Sequence, residues 1–157
     1  MALEFSPQAY REFEEMVGRY PQKEAAMLPV LYLAQREFGY LSEEAIAYVA
    51  KLMGQSPARV QGVVSFYTML NMRPIGRHHI QVCRTLPCAL GGAEKITGFI
   101  KQKLGIDVGQ TTADGRFTLS EVECLASCGT APMMQINDNY YENLTEAKVT
   151  QILDSLK

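Results

Sequence analysis

All four cysteines of this 157-residue chain lie in two close pairs, Cys83 and Cys88 in QVCRTLPCALGG and Cys124 and Cys128 in ECLASCGTAP. Their spacings are C-x4-C and C-x3-C, and the long segments on either side hold no cysteine. Soft thiolates gathered in fours select zinc or iron–sulfur centres. Neither pair has the C-x2-C spacing of a thioredoxin-type dithiol. Structural zinc uses shorter knuckles more often than C-x4-C, although that spacing is within its range. The spacing therefore favours a [2Fe–2S] cluster and leaves a zinc-stapled interaction module as the alternative from another class.

The compartment bears on the same thiols. The start, MALEFSPQAY, has neither a basic n-region nor an apolar h-region, and no stretch approaches the ~18 uninterrupted apolar residues of a membrane span. A cytosolic location is expected, where paired thiols serve metal or redox chemistry rather than structural disulfides. Fifteen Lys and Arg against 17 Asp and Glu give a net charge of −2, so no basic field marks the chain for nucleic acid. Hydrophobic residues make up 47%, enough to build one core or two small ones.

The elements that must position the cysteines differ between the halves, and the expected fold class is α+β. In the first half, Ser6 and Pro7 form an N-cap and N1 pair, with Phe5 and Tyr10 placed as a hydrophobic staple and Tyr10, Phe13, Val17 and Tyr20 as one apolar stripe. A second helix is predicted over 24–37, ending at Gly39, with Pro29 kinking or restarting it. Ser42 caps a third that stops at Gly54, and Ser56 with Pro57 opens a fourth. This reads as a helical bundle domain over 1–75. The Pro- and Gly-containing segment NMRPIGR, 71–77, marks the boundary to a cluster domain over 76–157.

The second half predicts a strand at HHIQVC, then a helix from Pro87 to about Leu104 with Leu90, Ala93, Ile96, Ile100 and Leu104 on one face. A turn at Asp114 and Gly115 leads into a strand over 116–123. PMMQIND and NYYENL form a hairpin, and Thr145 caps a last helix with Val149, Ile152, Leu153 and Leu156 inward. A right-handed β-α-β unit makes the first two strands parallel, so Cys83 and Cys124 emerge at one sheet edge and each pair's second cysteine lies in the following loop. The helix after Cys88 would aim its positive end at that loop. Gly91 and Gly92 read equally as room for a neighbouring backbone or as weak helix positions. His78 and His79 read as surface residues outside the site.

The segments HIQVCRTLPC, GVVSFYTML, EVECLASCGTAPMMQIND and NYYENLT resemble the [2Fe–2S] subunits of respiratory complex I, the E subunits of bacterial NADH–quinone oxidoreductases, over nearly the whole chain. The resemblance implies a helical domain followed by a thioredoxin-like [2Fe–2S] ferredoxin domain. By position it puts the cluster ligands on Cys83, Cys88, Cys124 and Cys128. It further implies an FMN- and NADH-binding flavoprotein partner, a further peripheral-arm iron–sulfur subunit, and a place on the cytoplasmic side of the inner membrane. Similar subunits serve NAD-linked hydrogenases and formate dehydrogenases. The chain has neither G-x-G-x-x-G after a strand nor G-x4-G-K-[ST], and no nucleophile–base pair, so no catalytic site is expected on it alone. Two positions depart from the family pattern. Ala126 stands where glycine is usual, which argues against a left-handed backbone there, and Arg84 adjoins a ligand, either as a charge favouring cluster reduction or paired with an acid.

Overall fold

The computed structural model describes residues 3–156 and divides into two compact units, with the change between Pro74 and Ile75. The first unit is helical. Helix α1 (Pro7–Gly18) begins at the Ser6 cap, whose hydroxyl accepts from the Ala9 N–H at 3.2 Å, and Pro7 occupies a position with no amide to lose. Phe5 does not staple to Tyr10. It lies against Phe13, Phe38 and Tyr48, with ring centroids 6.3, 5.4 and 5.1 Å away, whereas Tyr10 and Tyr20 are exposed. The buried face of α1 is therefore Ala9 and Phe13, because the aromatic partners come from distant helices and pull Phe5 inward.

Pro29 restarts rather than kinks. A 3₁₀ turn, Lys23–Ala26, precedes α2 (Met27–Phe38), which places Pro29 in the first turn of α2, where a missing amide costs no intrahelical bond. Helices α3 (Glu43–Met53) and α4 (Pro57–Phe66) start at Ser42 and Ser56, whose hydroxyls accept from Ala45 and Arg59 amides. Val30, Leu31, Leu41, Val49 and Val60 are fully buried in the core of this unit. At the end of α4, Val64 and Leu70 join the core, while Phe66 is 76% exposed and stacks edge-on against Tyr67.

The second unit is a four-stranded sheet in the order β2-β1-β3-β4, with β1 (His78–Cys83), β2 (Phe117–Val122), β3 (Met134–Ile136) and β4 (Asn139–Tyr141). Strands β1 and β2 are parallel, with Cys83 opposite Val122; β3 runs antiparallel to both β1 and β4. The outer edge of β2 is closed by segment 109–112, which exchanges backbone hydrogen bonds with Phe117 and Leu119. Ile80 and Val82 project from one face of β1 into a core shared with Phe117, Leu119, Ile96 and Ile100. Helix α7 (Glu146–Ser155) starts at Thr145 and adds Val149, Ile152 and Leu153.

The helix predicted from Pro87 to Leu104 is two helices, α5 (Leu86–Leu90) and α6 (Ala93–Leu104). The break comes at Gly92, whose φ of +94° no helix accommodates, and it turns Leu90 out to 82% exposure. Gly91 serves the other reading: a Cβ there would stand 3.2 Å from the Pro132 nitrogen and 3.3 Å from the Ala131 carbonyl carbon, so the backbone of the second cysteine loop packs directly on it.

Candidate functional site

The parallel pairing of β1 and β2 brings the cysteine pairs to the same end of the sheet. Cys83 is the last residue of β1 and Cys124 follows the end of β2 by two residues. Cys88 lies within α5 rather than in a loop, and Cys128 opens a 3₁₀ turn, Cys128–Thr130. The short α5 exists because Pro87 takes its first turn, and it drives Cys88 inward while Leu86 and Leu90, four residues apart, face out. Cys83 and Cys88 are buried and Cys124 and Cys128 are exposed. The dipole of the helix after Cys88 does not serve the site as expected, because Cys88 sits in mid-helix and α6 begins five residues later.

The sulfurs are instead met by backbone amides and by one another. The Ala126 N–H donates to the Cys124 sulfur at 3.3 Å, and the Leu125 and Met133 amides favour the ionised forms of Cys83 and Cys88. Burial opposes ionisation of Cys83, but the Thr85 hydroxyl, 3.3 Å away, and the Leu125 and Thr85 amides outweigh it and hold this thiol below its ordinary range. Burial, together with the contact to Cys83, pushes the Cys88 thiol up. Contact with Cys124 and repulsion from it push Cys128 up. The groups are thus close enough to feel one another's charge, and amides of the second loop favour thiolates of both pairs.

The donor set suits a cluster with two thiolates per metal. Cys124 Sγ and Cys128 Sγ are 4.0 Å apart, close to the ~3.8 Å edge expected for two sulfurs ~2.3 Å from one tetrahedral metal. Among the described residues no three His, Cys, Asp or Glu side chains close on a point that would hold a single ion. Cys124 and Cys128 thus stand at the separation that two ligands of one metal take, with Cys83 and Cys88 at the same end of the sheet. His78 and His79 lie at the opposite end of β1. His79 is half-buried rather than on the surface, with its ring 2.8 Å from the Ser120 hydroxyl, and burial lowers its pKa.

Arg84 is paired: its Nη2 and Nε lie 2.7 and 3.0 Å from Glu123 Oε1 across the two cysteine loops. Both partners are exposed, 60% and 70%, so the pair presents the site with a screened, nearly neutral neighbour rather than a lone cation. Ala126 overturns the expectation for its backbone, since it adopts φ +61° despite its Cβ. The left-handed turn aims its N–H at Cys124, and that geometry dictates the conformation. Holding alanine there costs ~1–2 kcal/mol, offset by the ~0.5–1 kcal/mol that glycine's extra unfolded freedom would cost. Ala126→Gly is therefore expected to stabilise the iron-free chain by about 0.5–1 kcal/mol. Amide exchange within the second unit measures it, and an unchanged or faster rate would count against a strained Ala126.

The amides of Leu125, Ala126 and Met133 could not have been found from side-chain patterns, because any residue type supplies an N–H. The Thr85 hydroxyl, two residues beyond Cys83, was visible but carried no signal by spacing.

The family model described as thioredoxin-like [2Fe–2S] ferredoxin matches residues 13–157. The E subunit of NADH-quinone oxidoreductase from Rickettsia conorii is 47% identical over 147 residues, 92% of this chain and 88% of that protein. The mitochondrial NADH dehydrogenase [ubiquinone] flavoprotein 2 of Dictyostelium discoideum is 44% identical over 99% of this chain and 64% of its own length. Among solved structures, an NAD+-reducing [NiFe]-hydrogenase in the air-oxidised state superposes with a TM-score of 0.74 at 22% identity over 83% of this chain; the match spans 22% of the hydrogenase chain and shows the fold. With four cysteines gathered at one end of a mixed sheet and a family match that runs through both units, the chain belongs to the thioredoxin-like [2Fe–2S] ferredoxins.

Proposed function

We propose that this chain is the [2Fe–2S] subunit of an NADH–quinone oxidoreductase, with Cys83, Cys88, Cys124 and Cys128 as ligands, exchanging single electrons with the FMN of a partner flavoprotein that binds NADH. The 4.0 Å approach of the Cys124 and Cys128 sulfurs, at the sheet end that also holds Cys83 and Cys88, supports this reading, together with relatives at 44–47% identity that bear that name or its mitochondrial counterpart. A cluster of this kind stores one electron at a time, whereas hydride delivers two, so a flavin on another subunit must divide the pair. The residues of this chain position the sulfurs and offset the added charge. The Ala126 amide points its positive end at the Cys124 sulfur, and the Leu125 and Met133 amides favour the ionised forms of Cys83 and Cys88, which stabilises the more negative reduced state.

The partner is a protein surface. Leu86 and Leu90 are 70% and 82% exposed on the helix that carries Cys88, and Phe66 is exposed in the first unit. Apolar side chains of this size left in water fit burial against another subunit, and the further peripheral-arm iron–sulfur subunit belongs to the same assembly. A peripheral place on the cytoplasmic side of the inner membrane follows from that assembly; among the described residues no helix is long and apolar enough to cross a membrane. An NAD-linked hydrogenase or formate dehydrogenase would use an equivalent subunit. The hydrogenase likeness is one of fold, and the sequence identities favour the respiratory complex.

Metal analysis of the full chain is the test. Iron and acid-labile sulfide at about two each per chain, in a brown protein that NADH reduces only when the flavoprotein is added, is the expected result. A colourless chain holding a single zinc overturns it in favour of an interaction module.

A further inference from the structure

We propose that Glu142 is the positioning residue for Cys128, acting as a carboxylate clip on the loop that carries it. The inference rests on the reading of Cys128 as a cluster ligand. Cys128 is exposed and sits in a single 3₁₀ turn, and one turn of this kind is too short to hold its own geometry. Glu142, just beyond β4, reaches both ends of that turn. Its Oε1 accepts from the Ser127 hydroxyl, which precedes Cys128, and lies 2.8 Å from the Thr130 hydroxyl, which closes the turn. The two hydroxyls are themselves 2.8 Å apart, so the three side chains form a closed triangle with Cys128 between its two loop members.

The clip is anchored from behind. The Asn143 N–H donates to the Thr130 carbonyl at 2.7 Å, the Leu144 N–H to the Pro132 carbonyl at 2.9 Å, and Lys148 Nζ on α7 lies 2.5 Å from the Glu142 carbonyl. The Ser127 and Thr130 hydroxyls, with Lys148 nearby, hold the Glu142 carboxyl below its ordinary range, so it is ionised at neutral pH and makes charge-assisted bonds. Anchoring to β4 and α7 ties a solvent-exposed ligand loop to the rigid part of the unit. Without the clip, the loop opens more often, and each opening withdraws Cys128 from the cluster.

The test uses the full chain in two forms. In the loaded form, iron release to a chelator is timed; in the iron-free form, exchange of the Thr130 and Asn143 amides is followed. Glu142→Ala and the double variant Ser127→Ala/Thr130→Val are each expected to speed both rates about tenfold or more. Glu142→Gln keeps an acceptor oxygen without the charge and is expected to fall between them and the wild type. The decisive comparison is the triple variant, which should be no faster than either parent, because all three side chains serve one device. Rates within twofold of the wild type for Glu142→Ala, or additive effects in the triple variant, overturn the proposal. Should Glu142→Ala fail to fold by circular dichroism, Glu142→Gln and the double variant decide on the same criteria. If the wild-type chain takes up no cluster, the functional reading falls, whereas amide exchange still decides whether Glu142 holds the turn.

Discussion

Serine in place of Cys83, Cys88, Cys124 or Cys128 is expected to abolish the two-iron spectrum or leave a weak remnant, with loss of both iron and labile sulfide. A serine hydroxyl is a harder donor that stays protonated at neutral pH, so it supplies neither the soft ligation nor the negative charge that a ferric pair needs. The four substitutions should differ in their effect on the iron-free fold. Cys124 and Cys128 are exposed, and their replacement should leave its stability within about 0.5 kcal/mol of the wild type. Cys83 and Cys88 are 2% exposed and line the core of the second unit, so a hydroxyl there costs about 1 kcal/mol or more unless the Leu125 or Met133 amide takes it as a partner. Iron content, the visible spectrum and circular dichroism on the same preparations separate the two effects. A full two-iron spectrum in any one variant would remove that residue from the ligand set.

Gly76→Ala should be among the most damaging single-methyl changes in the second unit. A Cβ at Gly76 would stand 2.8 Å from the Phe117 carbonyl carbon, 2.9 Å from its nitrogen and 3.0 Å from the Arg116 carbonyl carbon. All three are backbone atoms, which cannot swing aside as a side chain does. The only relief is to part the chains where β1 meets β2, at the cost of the bonds from Arg77 N–H to Gly115 at 3.1 Å, His78 N–H to Arg116 at 2.8 Å and Gly76 N–H to the Thr118 hydroxyl at 2.6 Å. Overpacking of this kind costs about 1–3 kcal/mol. Amides of β1 and β2 should then exchange about ten-fold faster or more, since ~1.4 kcal/mol is a factor of ten. Gly98→Ala is the control: it lies in α6 with nothing within 4 Å of the added methyl, and alanine there should stabilise the helix by about 0.5–1 kcal/mol. Equal exchange rates in Gly76→Ala and the wild type would show that the parallel pair is looser at its start than the packing indicates.

The residues by themselves determined most of the local structure. Ser6, Ser42, Ser56 and Thr145 each cap a helix in the structure because a short hydroxyl side chain satisfies an orphan amide two or three residues ahead, an interaction wholly contained in the local sequence. The parallel pairing of β1 and β2 was legible for a related reason: the handedness of the β-α-β crossover leaves few alternatives, and it alone brings both cysteine pairs to one end of the sheet. The fold class and the four sulfurs follow from these.

Tertiary structure decided the rest, through contacts between groups far apart in sequence. Phe5 turned from Tyr10 toward Phe38 and Tyr48 because long-range aromatic packing outweighs a local staple. The helix after Cys88 broke at Gly92, which takes a positive φ, and the backbone at Ala131 and Pro132 packs where a side chain at Gly91 would stand. Ala126 took a left-handed turn against its own preference because its amide is committed to Cys124. Gly76, which marked only a boundary in the sequence, is required by Phe117, 41 residues later. An amide reaching a sulfur and a glutamate reaching both ends of the Cys128 turn have no signature in composition or spacing, since they depend on where the backbone passes and not on which side chains it carries.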